Sequence, residues 1–154
     1  TKAFKDSLQY HLAWQVPYKP GTLSAVGWKD GKKVAQEEVH TAAQSTQIQM
    51  EPDRTSLKAN GEDLSFLTVR ILDSQGNLVP QADNQVAFSV KGAGQLVAVG
   101  SGDQLSHESF VTNQRKAFNG MCLAVIRTTR QSGQIEVTAS SPGLESASIT
   151  LETK

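Results

Sequence analysis

Apolar and polar residues alternate with a period of two through most of this chain. In LQYHLAWQV, Leu8, Tyr10, Leu12, Trp14 and Val16 fall on one face, with Gln9, His11, Ala13 and Gln15 on the other. That pattern predicts a half-buried strand with Trp14 in its apolar set. PYKPG follows as a turn, since Pro20 fixes φ and Gly21 tolerates a positive one. TLSAVGWK is the next strand, KDGK a tight hairpin turn, and KVAQEEVHT the third strand. Its Glu37-Glu38 pair marks an exposed or edge segment. Three strands with one apolar face are about the minimum for independent stability, and nothing within residues 1–45 covers that face.

Residues 42–47, AAQSTQ, are small and polar without a period, and read as a linker between two modules, 1–45 and 46–154. Beyond it, turn signals recur about every ten residues, as an all-β sandwich requires. IQM, SLKA and LSFLTVRIL come first, the last with Leu67, Val69 and Ile71 on one face; DRTSLKANGED reads as a solvated turn region. QVAFSV aligns Val86, Phe88 and Val90, and QLVAV is short and apolar. One long irregular passage, GSGDQLSHESFVTNQRKAFNG, separates these from MCLAVIRTT, QIEVTAS and LESASITLE. Ile135, Val137, Ala139, Ile149 and Leu151 point inward in the last two. About seven strands result, with inward faces that share one core about 10 Å thick. The predicted fold is all-β: an immunoglobulin-like Greek-key sandwich preceded by a partial antiparallel meander. No dozen-residue window carries helical spacing.

Composition narrows the functional classes. The 154 residues hold 15 basic and 15 acidic side chains, without the basic face nucleic acid demands. No apolar run approaches the ~20 residues of a membrane helix, and TKAFKDSLQY lacks the apolar core of a signal peptide. A single cysteine, Cys122 in MCLAVI, excludes an internal disulfide or a cysteine-based zinc site and reads as a small buried hydrophobe.

Candidate chemistry is sparse. Asp103 and Glu108 share the irregular passage, but an Asp after GSG caps turn amides, and Glu108 has Arg115 available as an ion-pair partner. Asp103, His107 and Glu108 fall short of the six to eight oxygens calcium takes, and no zinc-type histidine spacing occurs. GAG and GSG precede no helix and so do not form phosphate loops. The reading is therefore no catalytic residue, no metal and no cofactor. Sugar binding rests on exposed aromatics able to stack on a pyranose; Trp28 and Tyr18, near strand ends, are the candidates, and a glycan the candidate ligand.

The order of residues also resembles a known family. Trp14, Val16, Pro17, Tyr18, Pro20, Gly21, Leu23, Ala25, Val26, Asp30 and Gly31 are similar to the latter half of a small β-domain that follows the catalytic barrel in glycoside hydrolase family 2, β-galactosidase branch. Asp53, Arg54, Leu57, Gly61, Asp73, Gly76, Val79 and Pro80 resemble the C-terminal immunoglobulin-like domain of those enzymes. So do Gly94, Gly100, Gly102, Asp103, Glu108, Phe110, Arg115, Ala117, Phe118 and Gly120. The family usually shows Asn-Gly-Asp-Pro where this chain has SGDQ, so no ligand role is carried over to that loop. The resemblance implies accessory, scaffolding domains of an enzyme hydrolysing β-galactosides, or β-glucuronides, by double displacement, with both catalytic carboxyl groups in a barrel outside this chain. It implies that residues 1–45 are half of an interrupted domain. It implies a periplasmic or extracellular parent and partnership with the barrel and neighbouring domains. Separately, the raw edge and uncovered face of the incomplete meander predict a homodimer through it. Two other readings compete: a carbohydrate-binding module, and an immunoglobulin-like spacer of a bacterial surface protein.

Overall fold

The computed structural model describes residues 1–3 and 11–154. The chain divides into two compact units, Thr1–Thr41 and Ala42–Lys154.

In the first unit, β1 (Thr22–Lys29) and β2 (Lys32–His40) form a two-stranded antiparallel sheet. Asp30 and Gly31 take φ of 50° and 74° between them, the left-handed pair that a two-residue hairpin turn needs. The register slips once, between Gly27 and Trp28. Thr41 closes the base: its amide donates to the Gly21 carbonyl at 2.9 Å, and its hydroxyl accepts from Gly21 N–H at 3.1 Å. One face carries a polar network beside the exposed Val26. Thr22 and His40 hydrogen-bond at 2.9 Å, Gln36 reaches Ser24 and Glu38, and Lys33 reaches Gln36. On the other face Leu23 stands opposite Val39, both more than half exposed.

The expected strand before Pro20 is not formed where it can be described. Residues 8–10 lie outside the described residues, and 12–19 carry no strand. Pro17 and Pro20 remove two of the amide donors a ladder requires. Trp14, expected in a core-facing set, is 53% exposed, with the Lys2 ammonium 5.8 Å from its ring centre.

The second unit is an immunoglobulin-like sandwich of nine strands: β3 (Ser45–Pro52), β4 (Ser56–Leu57), β5 (Leu64–Asp73), β6 (Gln85–Gly92), β7 (Gly94–Gly100), β8 (Gln114–Lys116), β9 (Met121–Thr128), β10 (Gly133–Ser140) and β11 (Ala147–Thr153). One sheet runs β4-β11-β10-β6-β8 and the other β3-β5-β9-β7. Only β4 and β11 pair in parallel. The chain changes sheet at every step from β3 to β10, and β10–β11 alone is a hairpin within one sheet. β4 and β8 are two and three residues long and raise the expected seven strands to nine. Strands that short carry no readable period.

The core follows the alternation. Leu67, Val69 and Ile71 of β5 and Ala124 and Ile126 of β9 are fully buried from one sheet. Val86 of β6, Ile135, Val137 and Ala139 of β10 and Leu151 of β11 meet them from the other. Gly94 allows β7 to cross close to β10, because a Cβ there would stand 2.6 Å from Ile135 Cδ1.

Residues 42–47 are more ordered than a linker. β3 begins at Ser45, and Asp73 anchors the residues before it. The Asp73 carboxylate accepts the amides of Ala43, Gln75 and Asn77, each at 2.9 Å, and the Asn77 side chain at 3.1 Å. The Ala43 amide first, then the Asn77 and Gln75 donors, hold its pKa at about 2, against burial, which acts the other way. The region 53–63 is likewise tied rather than merely solvated. Asp53 accepts Phe66 N–H at 2.8 Å, and Asp63 accepts Lys58 N–H at 2.8 Å and Arg54 at 3.3 Å.

Candidate functional site

The irregular passage 101–120 is the most elaborated surface of the sandwich. Its anchor is Arg115 on β8, 1% exposed. The guanidinium donates from Nε to Ser101 Oγ at 3.2 Å and from its terminal nitrogen to the Glu108 carbonyl at 3.2 Å. Glu108 Oε2 lies 3.6 Å from Nε, and the Phe110 ring faces the guanidinium with its centre at 5.2 Å. A guanidinium stays charged when buried, and its burial is tolerated only when its donors are met, so this network fixes the loop's path.

Glu108 is committed several times over. Besides Arg115 it accepts Lys116 N–H at 3.3 Å and the Gln85 side chain at 3.2 Å. Asp103 accepts Leu105 N–H at 2.9 Å, the turn-capping role that its place after GSG implies. Lys116 pairs with Asp83 at 2.8 Å, which lowers the Asp83 pKa and raises that of Lys116. Between these groups lies an open pocket of about 310 Å³, lined by Asp83, Ser101, Asp103, Ser106, Glu108, Lys116, Ala117 and Phe118. Among the described residues no group of three or more His, Cys, Asp or Glu side chains could hold a metal, so Asp103, His107 and Glu108 do not converge as one.

The passage ends in Asn119-Gly120, with φ of 51° and 76°, and Phe118 and Met121 exchange backbone bonds at 2.8 and 3.0 Å. This is a second two-residue hairpin turn, legible as Asn-Gly and missed inside an apparently irregular stretch. The exposed apolar side chains of the passage were missed as well: Leu105, Phe110, Val111 and Phe118 follow neither period.

Trp28 and Tyr18, the carbohydrate candidates, are exposed at 66% and 80%. Trp28 lies near the end of β1, at the register slip, and Tyr18 precedes the strand's start. Cys122 is buried on β9, and burial pushes its thiol up to about 12. The nearby Arg115 opposes that shift and Glu108 adds to it. A thiol so placed is a packing group, not a nucleophile.

These features describe an immunoglobulin-like accessory sandwich with an ordered, partly apolar loop at one end. Residues 48–150 match the model of glycoside hydrolase family 2 C-terminal domain 5, and the chain belongs to that family. Residues 1–35 match a second model, a domain of unknown function (DUF4982). A β-galactosidase of Bacteroides ovatus is 44% identical over 143 residues, which cover 93% of this chain and 17% of that protein. A putative β-glucuronidase of Formosa agariphila is 29% identical over 96 residues, 62% of this chain and 9% of that protein. The crystal structure of a family 2 glycosyl hydrolase from Bacteroides cellulosilyticus superposes with a TM-score of 0.87 at 40% identity. It covers 93% of this chain and 18% of the solved one. The chain thus spans about a sixth of the two Bacteroides relatives and less than a tenth of the Formosa one.

Proposed function

We propose that this chain is a non-catalytic, scaffolding part of a longer family 2 glycoside hydrolase that cleaves terminal β-galactosides. The observation that carries the reading is the 44% identity to a β-galactosidase of which this chain spans 17%. The commitments of Glu108 to Arg115 and of Asp103 to its own turn support it, because neither carboxylate is left for the two-carboxyl chemistry of glycosidases. The test is hydrolysis of 4-nitrophenyl β-galactoside. The parent polypeptide is expected to release nitrophenol and the 154-residue chain none. Turnover by this chain alone overturns the reading, and turnover only of the β-glucuronide shifts the substrate to that of the Formosa relative.

From the family resemblance we also propose a periplasmic or extracellular parent, which fractionation tests. The wet Leu23–Val39 face supports pairing of two copies through the hairpin, which light scattering at rising concentration tests. A second reading rests on the exposure of Trp28 and Tyr18: a glycan stacks on them. Retardation on a polysaccharide gel that is lost in Trp28→Ala would establish it.

A further inference from the structure

The sandwich hides its apolar side chains well, with one concentration of exceptions. Of the five large hydrophobics it exposes, four lie within fourteen residues: Leu105 at 86%, Phe110 at 63%, Val111 at 82% and Phe118 at 42%. Phe66, at 39%, is the fifth. Scattered apolar exposure needs no explanation, but several exposed apolar side chains on one ordered loop bordered by polar groups point to an interaction surface. This loop is also held in place beforehand. Arg115 is buried beneath it, bonded to Ser101 and Glu108 and facing the Phe110 ring. Val99 N–H donates to the Phe110 carbonyl at 2.9 Å and ties the loop to β7. A preorganised apolar loop gives up little entropy on docking.

We infer that the loop 101–118 is a docking surface for another domain of the same parent polypeptide, one presenting apolar side chains bordered by lysine or arginine. This rests on the proposed function, since it requires that parent. Two observations select the occupant. More than four-fifths of the length of the relatives lies outside the region this chain matches, so a covering domain is available in cis. The charges around the patch leave a negative remainder. The charged groups lining the pocket are three carboxylates, Asp83, Asp103 and Glu108, and one cation, Lys116, with the buried Arg115 paired to Glu108. An apolar centre with a charged rim is the usual composition of such interfaces, and a basic border opposite Asp103 completes this one.

The test compares the parent polypeptide with the 154-residue chain, whose sandwich closes its own core. Hydrogen exchange and hydroxyl-radical labelling would be read at residues 104–113 in both. Exchange in the parent is expected to be at least about tenfold slower than in the short chain, with matching loss of labelling at Leu105, Phe110 and Val111. A parent carrying both Leu105→Asp and Val111→Asp should regain the fast exchange. Neither side chain takes part in the Arg115 network, so the same pair of changes should leave the melting temperature of the short chain within about 2 °C. Equal exchange in parent and short chain overturns the inference. So does protection in the short chain that grows with concentration, which would mean a second copy covers the loop, or protection that needs added galactose. The same parent sample is assayed on 4-nitrophenyl β-galactoside. Activity without loop protection sinks this inference alone, whereas protection without activity sinks the proposed function and leaves the docking surface standing.

Discussion

Two of the hairpin turns, Asp30-Gly31 and Asn119-Gly120, are chemically alike and structurally opposite. Both place two residues at positive φ, as two-residue hairpins require. Around Asp30-Gly31 lies a sheet of two strands whose apolar residues, Leu23, Val26, Val34 and Val39, are all exposed. Around Asn119-Gly120 lies packed protein: a Cβ on Gly120 would stand 2.4 Å from the Val79 carbonyl oxygen, while one on Gly31 would meet nothing within 4 Å. Local turn chemistry therefore decides where the chain reverses, and burial decides what the reversal is worth. A mutation at equivalent positions in the two units should separate these contributions.

The largest separation is expected from apolar truncation. Ile126→Ala removes a fully buried side chain from the centre of β9 and should cost about 3 to 4 kcal/mol. Leu23→Ala removes a side chain that is already 55% exposed and should change the stability of the short chain by less than about 0.5 kcal/mol. Urea denaturation followed by far-ultraviolet circular dichroism measures both, since the sandwich holds neither Trp nor Tyr. A large effect of Leu23→Ala would mean that its face is covered in solution, which would favour the dimer.

Next comes the polar anchor. Arg115→Met keeps the bulk of a 1%-exposed side chain but strands Ser101 Oγ and the Glu108 carbonyl and carboxylate. The Glu108 carboxylate is about one-third exposed and keeps the Lys116 and Gln85 donors, so the loss comes chiefly from the other two unmet acceptors and should be about 2 to 3 kcal/mol, with faster hydrogen exchange across 101–113. The polar network of the hairpin is the contrast: Gln36→Ala removes bonds to Ser24 and Glu38 that are all exposed. Water replaces them, so the change should fall within about 0.5 kcal/mol.

What could be read from sequence follows the same division. β5, β6 and β10 were legible because each alternates long enough to show which face is inside, and Leu67, Val69, Ile71, Ile135, Val137 and Ala139 are all buried as that alternation implies; β9 was legible only as a continuous apolar run, MCLAVI, that shows no facing. β8 was not, because three residues show no period and its central Arg115 is charged yet buried. An arginine in a loop reads as solvated unless the partners that bury it are known, although Glu108 could be named as one. Trp14 was misplaced for the converse reason: alternation indicates which residues share a face, not whether a partner strand exists to cover it. The apolar loop residues Leu105, Phe110 and Val111 had no pattern at all, and their significance is visible only once everything around them is seen to be buried.

The turn glycines give a smaller, more direct comparison. Gly120→Ala combines a left-handed φ of 76° with a backbone clash against Val79 and should cost about 2 to 3 kcal/mol. Gly31→Ala, at a φ of 74° with open space around it, bears the conformational term alone, about 1 kcal/mol. Thermal melts of the two variants should differ in that order. Equal losses would show that the Val79 carbonyl moves aside at little cost.

The contribution of Asp73 is read from how it fades in acid. Asp73 has a native pKa of about 2 against an ordinary 3.8, because its ionised form accepts the Ala43 amide above all, and the Asn77 and Gln75 donors besides. A native pKa below the unfolded one means that folding favours the ionised state. Its contribution is therefore complete above the unfolded value, shrinks as pH falls from about 4, and is gone once pH has passed below about 2. Asp53, Asp63 and Asp83 are lowered too and add to the same acid limb, so wild-type stability alone cannot isolate one carboxylate. The informative quantity is the difference between wild type and Asp73→Asn across that window. It should be constant above pH 5 and narrow steadily toward pH 2, because protonation takes from the wild type what the variant already lacks. A difference that stays constant down to pH 2 would mean that the protonated acid holds Ala43 and the 75–77 turn as well as the carboxylate does. The start of β3 would then be ordered by the shape of the turn rather than by its charge.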